Sequence, residues 1–158
     1  MNHSEKALEN FLNGYNCSQA VVVAFCDVTG MKAEYAARLA SSFGGGVGRM
    51  REICGAVSGM LLVAGLLYGY DTPGDDVRKK EHYALVQSLA GQFREREGSI
   101  ICREILKNPP SDPNPTPRNE DFYRKRPCAR LVALAAEILD DYIREHLVRC
   151  VVSGSPKP

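Results

Sequence analysis

Residues 53–70, ICGAVSGMLLVAGLLYGY, are 18 consecutive uncharged positions, and no other feature limits the fold of this chain so tightly. A helix that is apolar all round has no face for water, so protein or lipid must enclose it. The run reaches the lower end of the length of a membrane-spanning helix, but Gly55, Ser58, Gly59, Gly65 and Gly69 interrupt it. We therefore expect no membrane span and a central helix wrapped by its neighbours. The spacings Gly55-x-x-x-Gly59 and Gly65-x-x-x-Gly69 would let another helix approach it closely.

The rest of the chain supplies that wrapping. Ser4 is placed to cap a first helix running to about Asn13, with Ala7, Leu8, Phe11 and Leu12 at helical spacing. Asn16 reads as the N-cap of a second, from Cys17 to a stop at Gly30. Met31–Phe43 forms a third, closed by Gly44, Gly45 and Gly46, and Cys54–Gly69 is the central fourth. After a turn at Asp71-Thr72-Pro73-Gly74, a long amphipathic fifth helix spans Asp75–Arg96, with Leu85, Val86, Leu89 and Phe93 facing inward. Gly98 breaks it, and Ser99–Leu106 supports a short sixth. Pro127 at a first helical position opens the last helix, where Leu131, Leu134, Ala135, Ile138, Tyr142 and Leu147 recur at threes and fours. No alternating strand pattern survives, so the fold expected is all-α, a compact multi-helix bundle around a central glycine-rich apolar helix.

With 158 residues, 44% of them hydrophobic, the chain is the size of one domain that needs neither metal nor disulfide to fold. We expect a single helical domain over residues 1–150 and a flexible tail over 151–158. The segment 108–118 carries five prolines and must be a loop. Twenty basic against nineteen acidic side chains leave a charge of +1, too little for a global field that would recruit nucleic acid or an anionic membrane. The N-terminal residues lack a basic stretch followed by an apolar one, so no secretory signal is read and a cytoplasmic setting with reduced thiols is expected.

In that setting six cysteines point to redox chemistry or metal binding before structural disulfides. Cys17, Cys54, Cys102 and Cys128 each fall in the first turn of an expected helix. Cys26 lies mid-to-late in the second helix and Cys150 follows the last helix near the tail. A helix N-terminus carries unpaired N–H groups and partial positive charge, which favour the nucleophilic thiolate. Cys54 is the expected nucleophile, because Arg49 and Arg51 lie just upstream and Gly44, Gly45, Gly46 and Gly48 let backbone amides come close.

The series NCSQAV around Cys17, the core ICGAVSG with Cys54-Gly55-Ala56-x-x-Gly59, the LLYG that follows, and single cysteines at 102 and 128 resemble the redox-active protein family labelled C_GCAxxG_C_C. The resemblance covers about residues 10–145. The label writes Gly before the cysteine, where this chain has Ile53. The resemblance implies a small helical protein with four characteristic cysteines, leaving Cys26 and Cys150 outside the set.

Two chemistries follow. In the first, Cys54 attacks a disulfide, one of Cys17, Cys102 and Cys128 resolves the mixed disulfide, and a cytosolic thiol reductant or redox partner protein regenerates the pair, with no cofactor required. Four cysteines allow three pairings, and all stay open. In the second, the same four thiolates ligate zinc or an iron–sulfur cluster, although no CxxC pair is present. GGGVGR matches neither phosphate-binding glycine pattern, and His3, His82 and His146 stand alone without metal-ligand or triad spacing. Arg124-Lys125-Arg126 ahead of Cys128 reads as a solvated turn more readily than as a thiol activator.

Overall fold

The computed structural model describes residues 1–153, with side chains to residue 146; the Cys150 side chain and residues 154–158 of the expected tail lie outside what is described. Among the described residues there are nine α-helices and no strand, so the protein is all-α. None of these helices is long and apolar enough to cross a membrane.

Helix α1 (His3–Leu12) begins two residues earlier than Ser4 suggested. Asn2 caps it and Glu5 reaches back to the Asn2 N–H, a reciprocal pair that satisfies two amides at once. Ser4 is thereby free to donate to Ala133 O at 3.0 Å. Asn16 and Gln19 make the same reciprocal cap for α2 (Cys17–Ala24). The single helix expected to Gly30 is broken at Phe25, and α3 (Cys26–Thr29) restarts before the left-handed stop at Gly30. The break falls at a fully buried Phe25 whose ring stacks on His3 with centroids 4.2 Å apart. Helix α4 (Ala33–Ala40) tightens into a 3-10 turn, Ser41–Phe43.

The apolar segment becomes α5 (Gly55–Tyr68), whose Ala56, Val57, Met60, Val63 and Ala64 have no exposed surface while Leu66 near its end is exposed. It packs against α2 and against α9 (Cys128–Ser153), while α1 lies across both α2 and α9. Closeness is set by Gly55 and Gly59. A Cβ at Gly55 would sit 3.0 Å from Cys17 Cβ, and one at Gly59 2.8 Å from Ser18 O. The second glycine pair does not serve this purpose, since Gly65 has open space where a Cβ would stand. Helix α6 (Asp76–Glu97) runs between the Asp75 cap and a left-handed Gly98, burying Leu89, Ala90 and Phe93.

Helix α7 (Cys102–Ile105) is a single turn, and α8 (Glu120–Lys125), capped by Asn119, was not anticipated. Its six residues are too few for a periodic apolar pattern. One isolated antiparallel bridge, Ile53 to Ile101, ties the segment before α5 to the segment before α7. Cys54 N–H donates to Ile100 O at 2.8 Å and Cys102 N–H to Glu52 O at 2.6 Å.

Candidate functional site

That bridge brings two cysteines to the same place, and the helix caps bring two more. Cys17, Cys102 and Cys128 are the first residues of α2, α7 and α9, and Cys54 is the N-cap of α5. All four line one cavity of about 300 Å³.

The glycines explain how four chain segments come so near. A Cβ at Gly44 would lie 2.5 Å from the Asn16 side chain that caps α2, and one at Gly46 would lie 2.6 Å from Cys102 Cβ. Between them the backbone winds left-handed: Gly45, Gly46, Val47, Gly48 and Arg49 have φ of 65, 71, 61, 56 and 66°, and Arg51 has 62°. A left-handed conformation costs an L-residue with a Cβ about 1–2 kcal/mol, and Val47, Arg49 and Arg51 all adopt it. The turn is held by Gly48 N–H to Ser42 O at 2.8 Å and Glu52 N–H to Gly46 O at 2.9 Å. It places both Arg49 and Arg51 on the cavity wall.

These arginines also hold down the proline-rich loop, which closes the cavity with Pro113, Pro115 and Thr116. Arg49 Nε donates to Asp112 O at 2.7 Å and its Nη1 to Thr116 Oγ1 at 2.8 Å. Arg51 Nε donates to Pro110 O at 2.9 Å. At the other end Arg118 donates to Phe11 O and Tyr15 O at 2.7 and 2.8 Å, with its guanidinium 4.5 Å from the Phe11 ring centroid. Arg126, on the same wall, is 3.4 Å from Thr116 Oγ1. The basic run at 124–126 thus divides: Arg124 and Lys125 pair with Asp121 at the surface, and Arg126 turns to the site.

The thiols are not equivalent. Cys54, expected to be the most acidic, is only 5% exposed, and burial pushes its thiol up to about 12. The amides of Ala56 and Val57 draw it back only in part, without closing a normal cap hydrogen bond. Burial also raises Cys102, against the pull of Arg51 Nη1 at 3.9 Å from its sulfur. Cys128 goes the other way, down to about 7, because the Cys17 thiol donates a hydrogen bond to it and Arg126 and Arg51 favour its anion. Cys17 correspondingly holds its proton well above the ordinary thiol range. All four cysteines thus stand at helix starts, and at Cys54 desolvation outweighs the helix end.

No group of three or more His, Cys, Asp or Glu side chains converges at metal-binding distance among the described residues. Cys26 stands apart from the cavity, its sulfur 4.0 Å from Val22 O and its thiol raised by burial. His3 is a structural clasp, with Nδ1 2.5 Å from Asp140 and Nε2 3.0 Å from Asp27. Arg118 is a site residue that local sequence does not single out, and Arg126 comes from the basic run read mainly as a solvated turn. Arg118 follows the prolines with no motif around it, and only the folded path of the loop turns it inward.

No curated protein and no solved structure matches the chain. A family model does, over residues 15–142, which takes in α2, the left-handed turn, the proline-rich loop and all four cavity cysteines. On that match the chain belongs to the family described as "Putative redox-active protein (C_GCAxxG_C_C)".

Proposed function

We propose that the protein carries out thiol–disulfide exchange, with Cys128 as the attacking thiolate and Cys17 as the resolving thiol. The observation that supports this reading is that Cys17 and Cys128 stand at two helix starts in one cavity, where each thiol is the largest influence on the other's acidity and Arg126 and Arg51 favour the Cys128 anion. A pair of that kind holds a nucleophile at neutral pH beside the group that must attack next.

The electrons balance as follows. The Cys128 thiolate attacks one sulfur of a substrate disulfide, forming a mixed disulfide and expelling the first substrate thiolate. Cys17 then yields its proton to that leaving group and attacks Cys128 Sγ, which expels the second substrate thiolate and leaves a Cys17–Cys128 disulfide. The substrate gains two electrons and the protein loses two; a thiol reductant or redox partner protein restores them. Cys54 and Cys102, protonated in the same cavity, stand in reserve as alternative resolving thiols. Ligation of zinc or an iron–sulfur cluster would instead need three or four sulfurs around one point, and no such group is found among the described residues.

Mild oxidation followed by alkylation and peptide mass spectrometry tests the pairing. The expected product is a peptide linked through Cys17 and Cys128, absent in Cys128→Ser. Oxidised protein in which both residues are still alkylated overturns the reading. Metal analysis of protein purified without oxygen is the companion measurement, and stoichiometric zinc or a cluster absorption would favour ligation.

A further inference from the structure

The charge on the cavity wall is unbalanced. Arg51 is 3% exposed, and with Nε on Pro110 O and Nη1 near Cys102 its Nη2 is left buried with no acceptor. Arg118 donates to two backbone carbonyls and Arg126 to a threonine hydroxyl, so neither meets a carboxylate. Arg49 has Asp112 at 3.7 Å, a half-exposed acid that is not among the residues facing the cavity. No aspartate or glutamate lines the cavity at all. Several arginines outside the cavity do meet carboxylates: Arg96 meets Glu137, Arg103 meets Glu52 and Arg130 meets Glu97. A Cys128 thiolate supplies one negative charge against four guanidinium groups. Buried cations without counter-ions are unfavourable, and planar arginine forks match carboxylate geometry.

We propose that the cavity is a binding site for a small anionic molecule whose acidic group lies against Arg51 and Arg126. Resting on the exchange chemistry above, the substrate is then a low-molecular-weight disulfide bearing carboxylates. Size agrees with charge. A volume of about 300 Å³ under the proline-rich loop is at the small end of ligand pockets and suits a small molecule. Phe11, Phe122 and Leu131 on the same wall suit the methylene groups between an acid and its sulfur.

Three disulfides of similar length test the charge: 3,3′-dithiodipropionate is anionic, bis(2-hydroxyethyl) disulfide neutral and cystamine cationic. Rates of mixed-disulfide formation with the reduced protein are each divided by the rate with free 2-mercaptoethanol, which removes intrinsic reactivity. Dithiodipropionate is expected to be preferred over the neutral disulfide by about tenfold or more, the scale of one charge-assisted contact, with cystamine slowest. The preference should shrink with added salt and in Arg126→Met. Because that variant also weakens Cys128 for every disulfide, the ratio and not the rate is the readout. Arg51→Met should act alike, but it also releases Pro110, so Arg126→Met carries the test.

Suberate, which replaces the two sulfurs of dithiodipropionate by methylenes, gives a readout free of redox chemistry. Calorimetric binding of suberate to wild type, weakened in Arg126→Met, supports the anion site. Equal normalised rates for the three disulfides together with no suberate binding overturn it while leaving thiol exchange standing. Suberate binding with no reaction of any disulfide supports the site and overturns the exchange chemistry instead.

Discussion

At Cys128 the largest influence on the thiol is the neighbouring Cys17. A helix N-terminus alone would lower any of the four thiols, yet burial raises Cys54 to about 12 and also raises Cys102. Cys128 is lowered to about 7 because Cys17 donates to its anion, with Arg126 and Arg51 adding to the effect. The sign fixes a pH profile. Alkylation of Cys128 by iodoacetamide should rise through a midpoint near 7, where an ordinary thiol would still be almost wholly protonated. Removing the donor in Cys17→Ala leaves the anion less stabilised, so the midpoint moves up and the rate at neutral pH falls by about tenfold, the loss of thiolate as the value returns toward roughly 8.5. Cys17→Ser keeps a hydroxyl donor and should shift the midpoint less. A midpoint in Cys17→Ala equal to that of wild type would show that the arginines alone set the acidity. None of this ranking is visible in the sequence, where each cysteine shows its place on a helix but not its depth or its neighbour.

Among the elements, the one that the opening residues of the site depend on is the left-handed turn from Gly45 to Arg49. Its glycines were legible as a loop, and the helix on either side as a helix, because caps and stops are local. Asn16 before Cys17 and Gly98 after α6 are examples. The handedness was not legible, since Val47, Arg49 and Arg51 take conformations that their own side chains disfavour and that only the surrounding packing enforces. The same limit explains Asn2 displacing Ser4 as the first cap and Phe25 breaking the second helix: in each case a tertiary contact, Ser4 to Ala133 or Phe25 to His3, chose between local options of similar merit. Two glycine substitutions separate packing from propensity. Gly46→Ala places a Cβ 2.6 Å from Cys102 Cβ on a backbone at φ 71°, so it should cost about 2–5 kcal/mol, the sum of left-handed strain and overpacking. Gly65→Ala, inside α5 with nothing within 4 Å, should stabilise by about 0.5–1 kcal/mol through helix propensity. Denaturant melts of the two variants give both signs in one experiment.

For the whole molecule, the site and the fold are one assembly event. Its cysteines come from α2, α5, α7 and α9, spread from residue 17 to residue 128, and no stretch of the chain holds more than one of them within a turn of another. The sequence shows four helix starts bearing sulfur; that they meet follows only from α5 sinking between α2 and α9 and from the Ile53–Ile101 bridge. The roof is a separate matter, because the proline-rich loop is fastened at its two ends by side chains and not by a ladder of backbone bonds. Arg49 and Arg51 hold the first half, and Arg118 anchors the last part to α1 through Phe11 O and Tyr15 O. A guanidinium hydrogen bond of this kind contributes about 1.5–3 kcal/mol, and loss of both in Arg118→Met should favour local opening by a similar or somewhat larger amount. Cys54, almost without exposed surface, is alkylated only through such opening. Its labelling in native protein should therefore speed up by about tenfold or more in Arg118→Met, the scale that a shift of a few kcal/mol in opening allows, while far-ultraviolet circular dichroism stays that of the wild-type bundle. Unchanged labelling would mean that reagents reach the cavity past some other wall, and that the prolines are not the gate to the thiols.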